Sequence, residues 1–597
     1  MEILTDELNL QAYKLADDGL PNFVQILSTL AVEKRDDTAL LFLSDGETEL
    51  PAMSYGEFHT QAMKFAAGLD KQHINKGDRV VLLYQSSYEF AVAFFGCLYA
   101  GVISIPLPVP SRRASDWEKI EKITNSAGAK WVITYEKAYD RIAQNAERYL
   151  TDTQLNIVLH EVLMQSPPKA AQNITGSDIA FLQYTSGSTG LPKGVTLTHD
   201  NLIENQIILK KGFRNFGSST YLSWLPLYHD MGLIGNFLQA IYIGQPFIFM
   251  APNAFLQKPL RWLKAISKHK VRVSGAPNFA YELCVERISE EDKQTLDLSC
   301  WEVAFNGAEP VRAQTLKKFT DAFACCGFKE SAFYPCYGTA ESTLIISGAI
   351  KTQEPVYLTV DRSSYECSQI QPVEEAATSS DSITIVSSGV PLIEGSIVIV
   401  DSQSKTELPL MQVGEIWLHS PCNAIGYWDN EGATREAFQN RLANDDSAKR
   451  YLNTGDLGFT DGENLFITGR VKDLLIFNGR NIYPQDVELC SYNAHEALRN
   501  ERCAAVSIYD NNRERLLLIH EVERTHVKNA DYDEVIESIR KAVYQEFAIP
   551  VYGIAIVQPS TIPMTSSGKI RRQTCREQFI NGQLSLVTKW MLDRQGV

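Results

Sequence analysis

The chain has 597 residues, 44% of them hydrophobic and 21% charged, with 72 acidic side chains against 56 basic ones and a net charge of −16. That length exceeds one core and predicts two or three domains, while a surface so acidic repels nucleic acid and anionic lipid where no basic patch intervenes, and the chain shows none. The eleven cysteines are odd in number, lack C-x-x-C or Cys/His zinc spacing and include the adjacent Cys325-Cys326, so they read as the reduced thiols of a cytoplasmic protein.

The opening Met1-Glu2-Ile3-Leu4-Thr5-Asp6-Glu7 is acidic and lacks the basic start of a signal peptide. Residues 22–110 read as a first α/β unit. Ser54-Tyr55-Gly56-Glu57 has capping-box spacing, and behind it Phe58, Ala62, Phe65 and Leu69 share one helical face. Val80-Val81-Leu82-Leu83-Tyr84 is a continuous apolar strand, 90–100 the next helix and Val102-Ile103-Ser104-Ile105 the next strand. Strand, helix and strand joined by short turns imply parallel pairing in a doubly wound sheet. Residues 115–165 repeat the theme, with a helix near 117–127, the strand Trp131-Val132-Ile133 and a helix near 138–149. Stretches 90–110 and 232–257 carry no charge. Gly101, Pro106 and Pro108 interrupt the first, and Gly235, Gly244 and Pro246 the second, so each predicts a buried helix, a turn and a buried strand rather than a membrane span.

Ile179-Ala180-Phe181-Leu182 is a short apolar strand, Val195 to Thr198 is strand-like again, and a helix pattern starts near Asn201. Between them runs Tyr184-Thr185-Ser186-Gly187-Ser188-Thr189-Gly190-Leu191-Pro192-Lys193-Gly194-Val195. Its glycines let backbone N–H groups crowd onto an anion, its hydroxyls add donors, and Lys193 adds a positive charge behind the stiffening Pro192. A flexible Gly/Ser linker has no reason to carry Pro-Lys-Gly or flanking strands. The spacing G-x-x-x-x-G-K-[ST] of the common P-loop is absent, since the fifth residue after Gly187 is Pro192. The loop is a polyphosphate cradle of another kind, and it resembles the signature of the adenylate-forming enzymes: acyl-CoA synthetases, luciferases and peptide-synthetase adenylation domains. That resemblance implies ATP at Thr185, Ser186, Gly187, Ser188, Thr189, Gly190 and Lys193.

Trp224-Leu225-Pro226-Leu227-Tyr228-His229-Asp230-Met231-Gly232-Leu233 follows. With His199-Asp200 it makes a second His-Asp pair, but a metal phosphohydrolase needs a further His and Asp at i, i+4 geometry that is not found here. A satisfied buried histidine in a turn is the plain alternative for His229. The resemblance places His229 and Asp230 at the floor of the acyl pocket, beside the carboxylate to be activated. Met231, Leu233, Ile234, Phe237 and Leu238 suit a hydrocarbon chain, and Ser274 and Phe279 are assigned to the same pocket. Asp230 is the only candidate to hold a substrate amine, which leaves an amino-acid-activating reading open.

Three strand-then-glycine turns come next: 271–279, Val303-Ala304-Phe305-Asn306-Gly307-Ala308-Glu309-Pro310, and Phe333-Tyr334-Pro335-Cys336-Tyr337-Gly338-Thr339-Ala340-Glu341. In an open parallel sheet, ligands sit beyond the carboxyl ends of the strands, so these turns should converge with the phosphate loop. Tyr337-Gly338-Thr339-Ala340-Glu341 resembles the family's Y-G-x-x-E signature. By that resemblance Tyr337 stacks on adenine, Gly338 and Thr339 reach the α-phosphate, Glu341 holds Mg²⁺, and Asn306, Gly307 and Ala308 complete the AMP site. An aromatic face suits a purine, and a carboxylate opposite a phosphate loop needs a divalent cation between them.

Glu341 and the turn Gly389-Val390-Pro391 stand 48 residues apart, a longer gap than in the CoA-forming relatives. The extra tract, about 350–382, is polar. It reads either as a tolerated surface insertion or, by resemblance, as the insertion of fatty acyl-AMP ligases, which is associated with blocking the conformation used for CoA transfer. Val413-Gly414-Glu415-Ile416-Trp417-Leu418 predicts a β-rich subdomain. Thr454-Gly455-Asp456 resembles the family's ribose motif, Arg470 its second nucleotide contact, and Lys472-Asp473 its hinge. Beyond it, 487–498 reads as a helix, 504–508 and 516–519 as strands, and Val535, Ile539, Val543 and Phe547 as a core stripe. Pro563-Met564-Thr565-Ser566-Ser567-Gly568-Lys569 resembles the catalytic-lysine motif.

The expected fold class is α/β: a large N-terminal domain, 1–472, of doubly wound sheets with a β-rich subdomain at about 385–470, and a small mobile C-terminal α/β lid domain, 473–597. The expected activity is ATP- and Mg²⁺-dependent adenylation of a fatty acid, with Lys569, Glu341 and Thr185 catalytic, followed by transfer to the phosphopantetheine thiol of an acyl carrier protein. The expected partners include neither nucleic acid nor an integral membrane. A fatty acyl-CoA synthetase is the alternative enzyme, an amino-acid-activating domain a third, and a silent acyl or nucleotide sensor the non-enzymatic reading.

Overall fold

The computed structural model describes residues 19–150, 155–185, 192–214, 219–373, 381–445, 447–477, 479–510, 513–565 and 568–592. Two sheets dominate the first 400 residues. One has six strands in the order 156–159, 131–134, 79–84, 103–108, 179–185 and 193–198, all parallel except the last, which returns antiparallel from 179–185. The other has nine, with a parallel run through 333–338, 303–306, 273–275, 221–223, 247–250 and 38–43 and antiparallel strands at its margins. Strand Arg79–Tyr84 shows why both faces are apolar: Val80, Leu82 and Tyr84 enter one core, and Val81 and Leu83 the core behind the sheet.

The first uncharged stretch is explained by its position. Helix Tyr88–Ala100 is buried at every residue from Phe90 onward because it lies between layers. Phe94 meets Phe181 of the six-stranded sheet at 5.4 Å, and Phe95 meets Phe237 of the 230–242 helical segment at 5.6 Å. The second uncharged stretch is that helical segment, a turn at Gly244 and strand Phe247–Met250. Among the described residues no helix is long and apolar enough to cross a membrane.

A four-stranded antiparallel sheet, 397–400, 414–418, 452–460 and 465–470, follows. From Leu475 onward the chain forms two cores of its own around a mixed sheet of strands Leu498–Asp510, Arg513–Val522, Val551–Val557 and Leu586–Met591. The helix expected over 487–498 runs instead from Pro484 to Tyr492, and Leu498 already begins a strand. The apolar Ala497 and Leu498 that extended the helical pattern are buried by sheet pairing.

The polar tract after Glu341 is structured. Strands Tyr357–Asp361 and Ser382–Val386 pair antiparallel around helix Arg362–Glu366. Val360, Tyr365, Ile370 and Ile385 share a core with Val413, Leu457, Phe459 and Phe466 of the β-rich region and with Tyr483 beyond it. Polar composition hid the apolar side chains that build this core, so the tract is a wedge and not a surface appendage.

Candidate active site

One cavity of about 980 Å³ lies where the two large sheets, the β-rich sheet and the C-terminal unit meet. The phosphate-loop strands bring Thr185 and Lys193 opposite each other, and both line it. Ser186, Gly187, Ser188, Thr189 and Gly190 lie outside the described residues. Lys193 Nζ stands 4.8 Å above the ring of Tyr427, whose hydroxyl donates to Glu341 Oε1 at 2.9 Å. Tyr427 was not among the sequence candidates. Its segment runs along the loop's second strand, with Trp428 N donating to Gly194 O at 2.7 Å. Burial, and then the charge of Glu341, pushes the Tyr427 phenol far up, so it stays a donor.

Strand Phe333–Gly338 carries Tyr337 to the cavity wall. A Cβ on Gly338 would meet Leu344 O at 1.7 Å, so only glycine lets the chain turn there. Thr339 then accepts from Ser342 N and caps the short turn that holds Glu341. Two non-glycine residues adopt left-handed φ in this region, Ala308 at +75° and Thr343 at +64°, a strain that the surrounding packing must hold. Ala308 lines the cavity, while Asn306 and Gly307 stand behind it. Asn306 is fully buried and donates to Asn278 Oδ1 at 3.1 Å, and a Cβ on Gly307 would meet Cys336 O at 2.7 Å.

Strand Leu452–Thr460 brings up Asp456. Its Oδ2 accepts the Tyr337 hydroxyl at 2.7 Å and its Oδ1 accepts Arg470 Nε at 3.0 Å. A carboxylate has about four acceptor positions, so capacity remains for a diol. Asp456 raises the Arg470 guanidinium further, against the effect of burial.

His229, Asp230, Met231 and Phe279 line the same cavity. Asp230 Oδ1 is 2.7 Å from His229 Nδ1 and accepts Met231 N at 2.7 Å. Burial pushes Asp230 up, but His229, the Met231 N–H and Lys569 outweigh it and hold the carboxyl below its usual value. Leu209, Phe213, Gly235, Phe305 and Leu344 complete an apolar recess. Ile234 and Ser274 do not line it. The turn over Leu233–Leu238 is a π-helix, which presents Gly235 and Asn236 to the cavity and sends Ile234 into the core. Ser274 is buried beneath Trp262, accepting its Nε1 at 2.8 Å and donating to Leu222 O at 2.7 Å.

Lys569 enters from the C-terminal unit. Gly568, at φ +89°, turns the chain against Phe279, and Lys569 N donates to Thr565 Oγ1 at 2.9 Å. The Lys569 ammonium makes no ion pair among the described residues. Burial and Arg470 lower its pKa, while Asp456, Asp230 and Glu309 pull it back up. Lys472 and Asp473 also line the cavity. Among the described residues no group of three or more His, Cys, Asp or Glu could hold a metal ion, and Glu341 lines the cavity together with Thr185 and Lys193.

The inserted wedge touches the C-terminal unit at several points. Arg362 pairs with Glu546 and lies 5.4 Å from the ring of Phe547. Glu366 accepts Arg480 Nε at 2.7 Å, Asn481 donates to Ser368 Oγ at 2.8 Å, and the rings of Tyr365 and Tyr483 are 4.7 Å apart.

Residues 28–428 match the family described as AMP-binding enzyme, and 472–589 the AMP domain of Disco-interacting protein 2-like proteins. The medium-chain-fatty-acid–[acyl-carrier-protein] ligase JamA of Moorena producens is 38% identical over 92% of this chain and 93% of its own. The ligase of the same description named TtuA, from Teredinibacter turnerae, is 32% identical over 94% of each. A fatty acyl-adenylate ligase from L. pneumophila, solved with acyl adenylate and pyrophosphate, superposes with a TM-score of 0.72 at 36% identity over 96% of this chain and 98% of that one.

Proposed function

The chain belongs to the AMP-binding enzyme family, and from that premise we propose that it is a fatty acyl-AMP ligase. A fatty acid and Mg·ATP give acyl-adenylate and pyrophosphate, and the acyl group then passes to the phosphopantetheine thiol of an acyl carrier protein. The observation that carries this reading is the meeting of these groups in one cavity. Asp456 joins Tyr337 and Arg470, Lys569 feels the charges of both that cluster and Asp230, and the apolar Leu209, Phe213, Phe305 and Leu344 line the same cavity.

The carboxylate attacks the α-phosphorus in line, and the protein positions the reactants and neutralises charge. Lys569 bridges carboxylate and α-phosphate as charge builds between them. Thr185, Lys193 and the loop between them hold the departing pyrophosphate. Glu341, a hard oxygen ligand with one tyrosine bond and spare acceptor capacity, would hold magnesium arriving with ATP, and the ion would supply neutralisation of phosphate charge. His229 and Asp230 add polar groups to the same cavity. The Asp230 carboxylate is engaged with His229 and the Met231 N–H, which disfavours a substrate amine as its partner.

Residues 1–472 and 473–597 act in this reading as body and lid, pivoting at Lys472-Asp473. The wedge ties the lid to the β-rich sheet and so opposes the rotation that CoA transfer needs. The reading extends to a cytoplasmic protein, which a need for ATP and the free thiols support. The test incubates it with Mg·ATP and fatty acids of graded length, with and without CoA, and identifies products by mass spectrometry. Acyl-AMP that persists in the presence of CoA is the expected result; efficient acyl-CoA formation overturns the ligase reading in favour of a CoA synthetase.

A further inference from the structure

Arg572 lies three residues beyond Lys569 and opens helix Arg572–Ile580. Its Nε and Nη2 donate to the two oxygens of Glu488, each at 2.7 Å, and its Nη1 donates to Asp473 Oδ2 at 3.1 Å. The next residue repeats the grip: Gln573 Nε2 donates to Lys472 O at 3.2 Å. Two consecutive residues behind the lysine therefore hold two consecutive residues of the link between strands Leu465–Arg470 and Leu475–Phe477. The anchor is firm, since Glu488 is 4% exposed and its Oε1 also accepts Ala505 N at 2.9 Å. The arm is short and closed: Thr565 N donates to Lys569 O at 2.7 Å, and Arg571 N to Pro563 O at 2.9 Å.

A guanidinium that only stabilised the C-terminal core would need Glu488 and nothing else. The third bond, to Asp473, spans 99 residues of sequence and joins the lysine arm to the pivot. We propose that Arg572, backed by Gln573, is a positioning residue for the adenylation step. It locks the arm bearing Lys569 onto Lys472-Asp473, so that the pivot's conformation and the lysine's place in the cavity are one state. This inference rests on the adenylation chemistry proposed above.

The test makes Arg572→Met and Asp473→Asn, singly and together, in the full chain, and follows pyrophosphate release with decanoate and Mg·ATP. A misplacement of about 1 Å at a reacting group costs on the order of 10²-fold. Arg572→Met should lower kcat by about that factor while KM for ATP stays within about threefold. The double variant should be no slower than Arg572→Met alone, because both substitutions break one contact. Arg572→Lys should restore only part of the rate, since an ammonium cannot serve both carboxylates in a fork. Limited trypsin cleavage after Arg470 or Lys472 should speed up in each variant. Losses confined to KM, losses that multiply in the double variant, or an unchanged cleavage rate overturn the proposal. Should Arg572→Met fail to fold, Asp473→Asn leaves the Glu488 fork intact, and normal kcat with normal cleavage in that variant overturns it. If the parent protein releases no pyrophosphate with any fatty acid, the proposed function fails, and the cleavage comparison still decides whether the clasp exists.

Discussion

Lys569 shows how a side chain can be placed for a charge that does not yet exist. Burial and Arg470 disfavour its ammonium, and among the described residues no carboxylate pairs with it directly. In the proposed adenylation such a group gains most when negative charge builds at the α-phosphorus, which would assign its effect to the transition state. Lys569→Ala should lower kcat for adenylation by on the order of 10²–10³-fold, the usual cost of a lost electrostatic partner, while ATP binding measured by calorimetry changes little; equal losses in both would sink the assignment. Because its pKa is lowered, the activating charge should fade on the alkaline side before an ordinary lysine would lose it. Tyr427 acts one step further back. Its bond to Glu341 is charge-assisted and worth about 1.5–3 kcal/mol where buried. Tyr427→Phe should leave that carboxylate loose and raise the Mg·ATP KM about tenfold at unchanged fatty-acid KM, read from pyrophosphate release. The motif residues were legible because short spacings carry them. Tyr427 and Arg572 were not, since what matters for each is a partner 86 or 99 residues away, and no local pattern encodes that.

At the scale of elements, parallel strands announced themselves as continuous apolar runs, and the capping box at Ser54 and Glu57 formed as its spacing predicts. Periodicity failed where it changed type. The π-turn over Leu233–Leu238 moved Ile234 off the cavity, and pairing of strand Leu498–Asp510 cut short a helix that the apolar pattern prolonged. The wedge at 357–386 is the third such case, because its apolar residues are dispersed among serines and charges and become a core only against Phe459, Phe466 and Tyr483. Besides the Tyr365–Tyr483 contact, it reaches the C-terminal unit through partly exposed ion pairs, each worth roughly 0.2–1 kcal/mol, so no single pair holds the unit. Arg362→Ala combined with Arg480→Ala should loosen the wedge together with its Phe547 contact. Acyl-CoA formed from fatty acid, Mg·ATP and CoA should rise above the parent's level while adenylation stays within about threefold. Unchanged CoA use with a weakened interface would show that these ties do not restrain transfer.

Across the whole molecule, the C-terminal unit is held to the rest through buried carboxyls as well as bonds. Asp486 is pushed up to about 7 by burial, with Glu488 and Glu366 adding to the shift and Arg362 and Arg312 opposing it. Glu501, which accepts Arg312 Nη1 at 3.0 Å across the same seam, is pushed up to about 8 by burial and by Glu282 and Glu309. A carboxyl raised in the native state binds protons that the unfolded chain has already released. Stability is therefore greatest below the ordinary carboxylate range and falls as pH rises through the folded value. For Asp486 that loss is expected between about pH 4 and 7, and for Glu501 it continues to about 8. Asp486→Asn cannot ionise and removes its share of the slope. Melting curves of parent and variant taken between about pH 5.5 and 8.5 should diverge in the variant's favour as pH rises. Parallel curves would mean that Asp486 is already ionised, its charge balanced by Arg362 and Arg312.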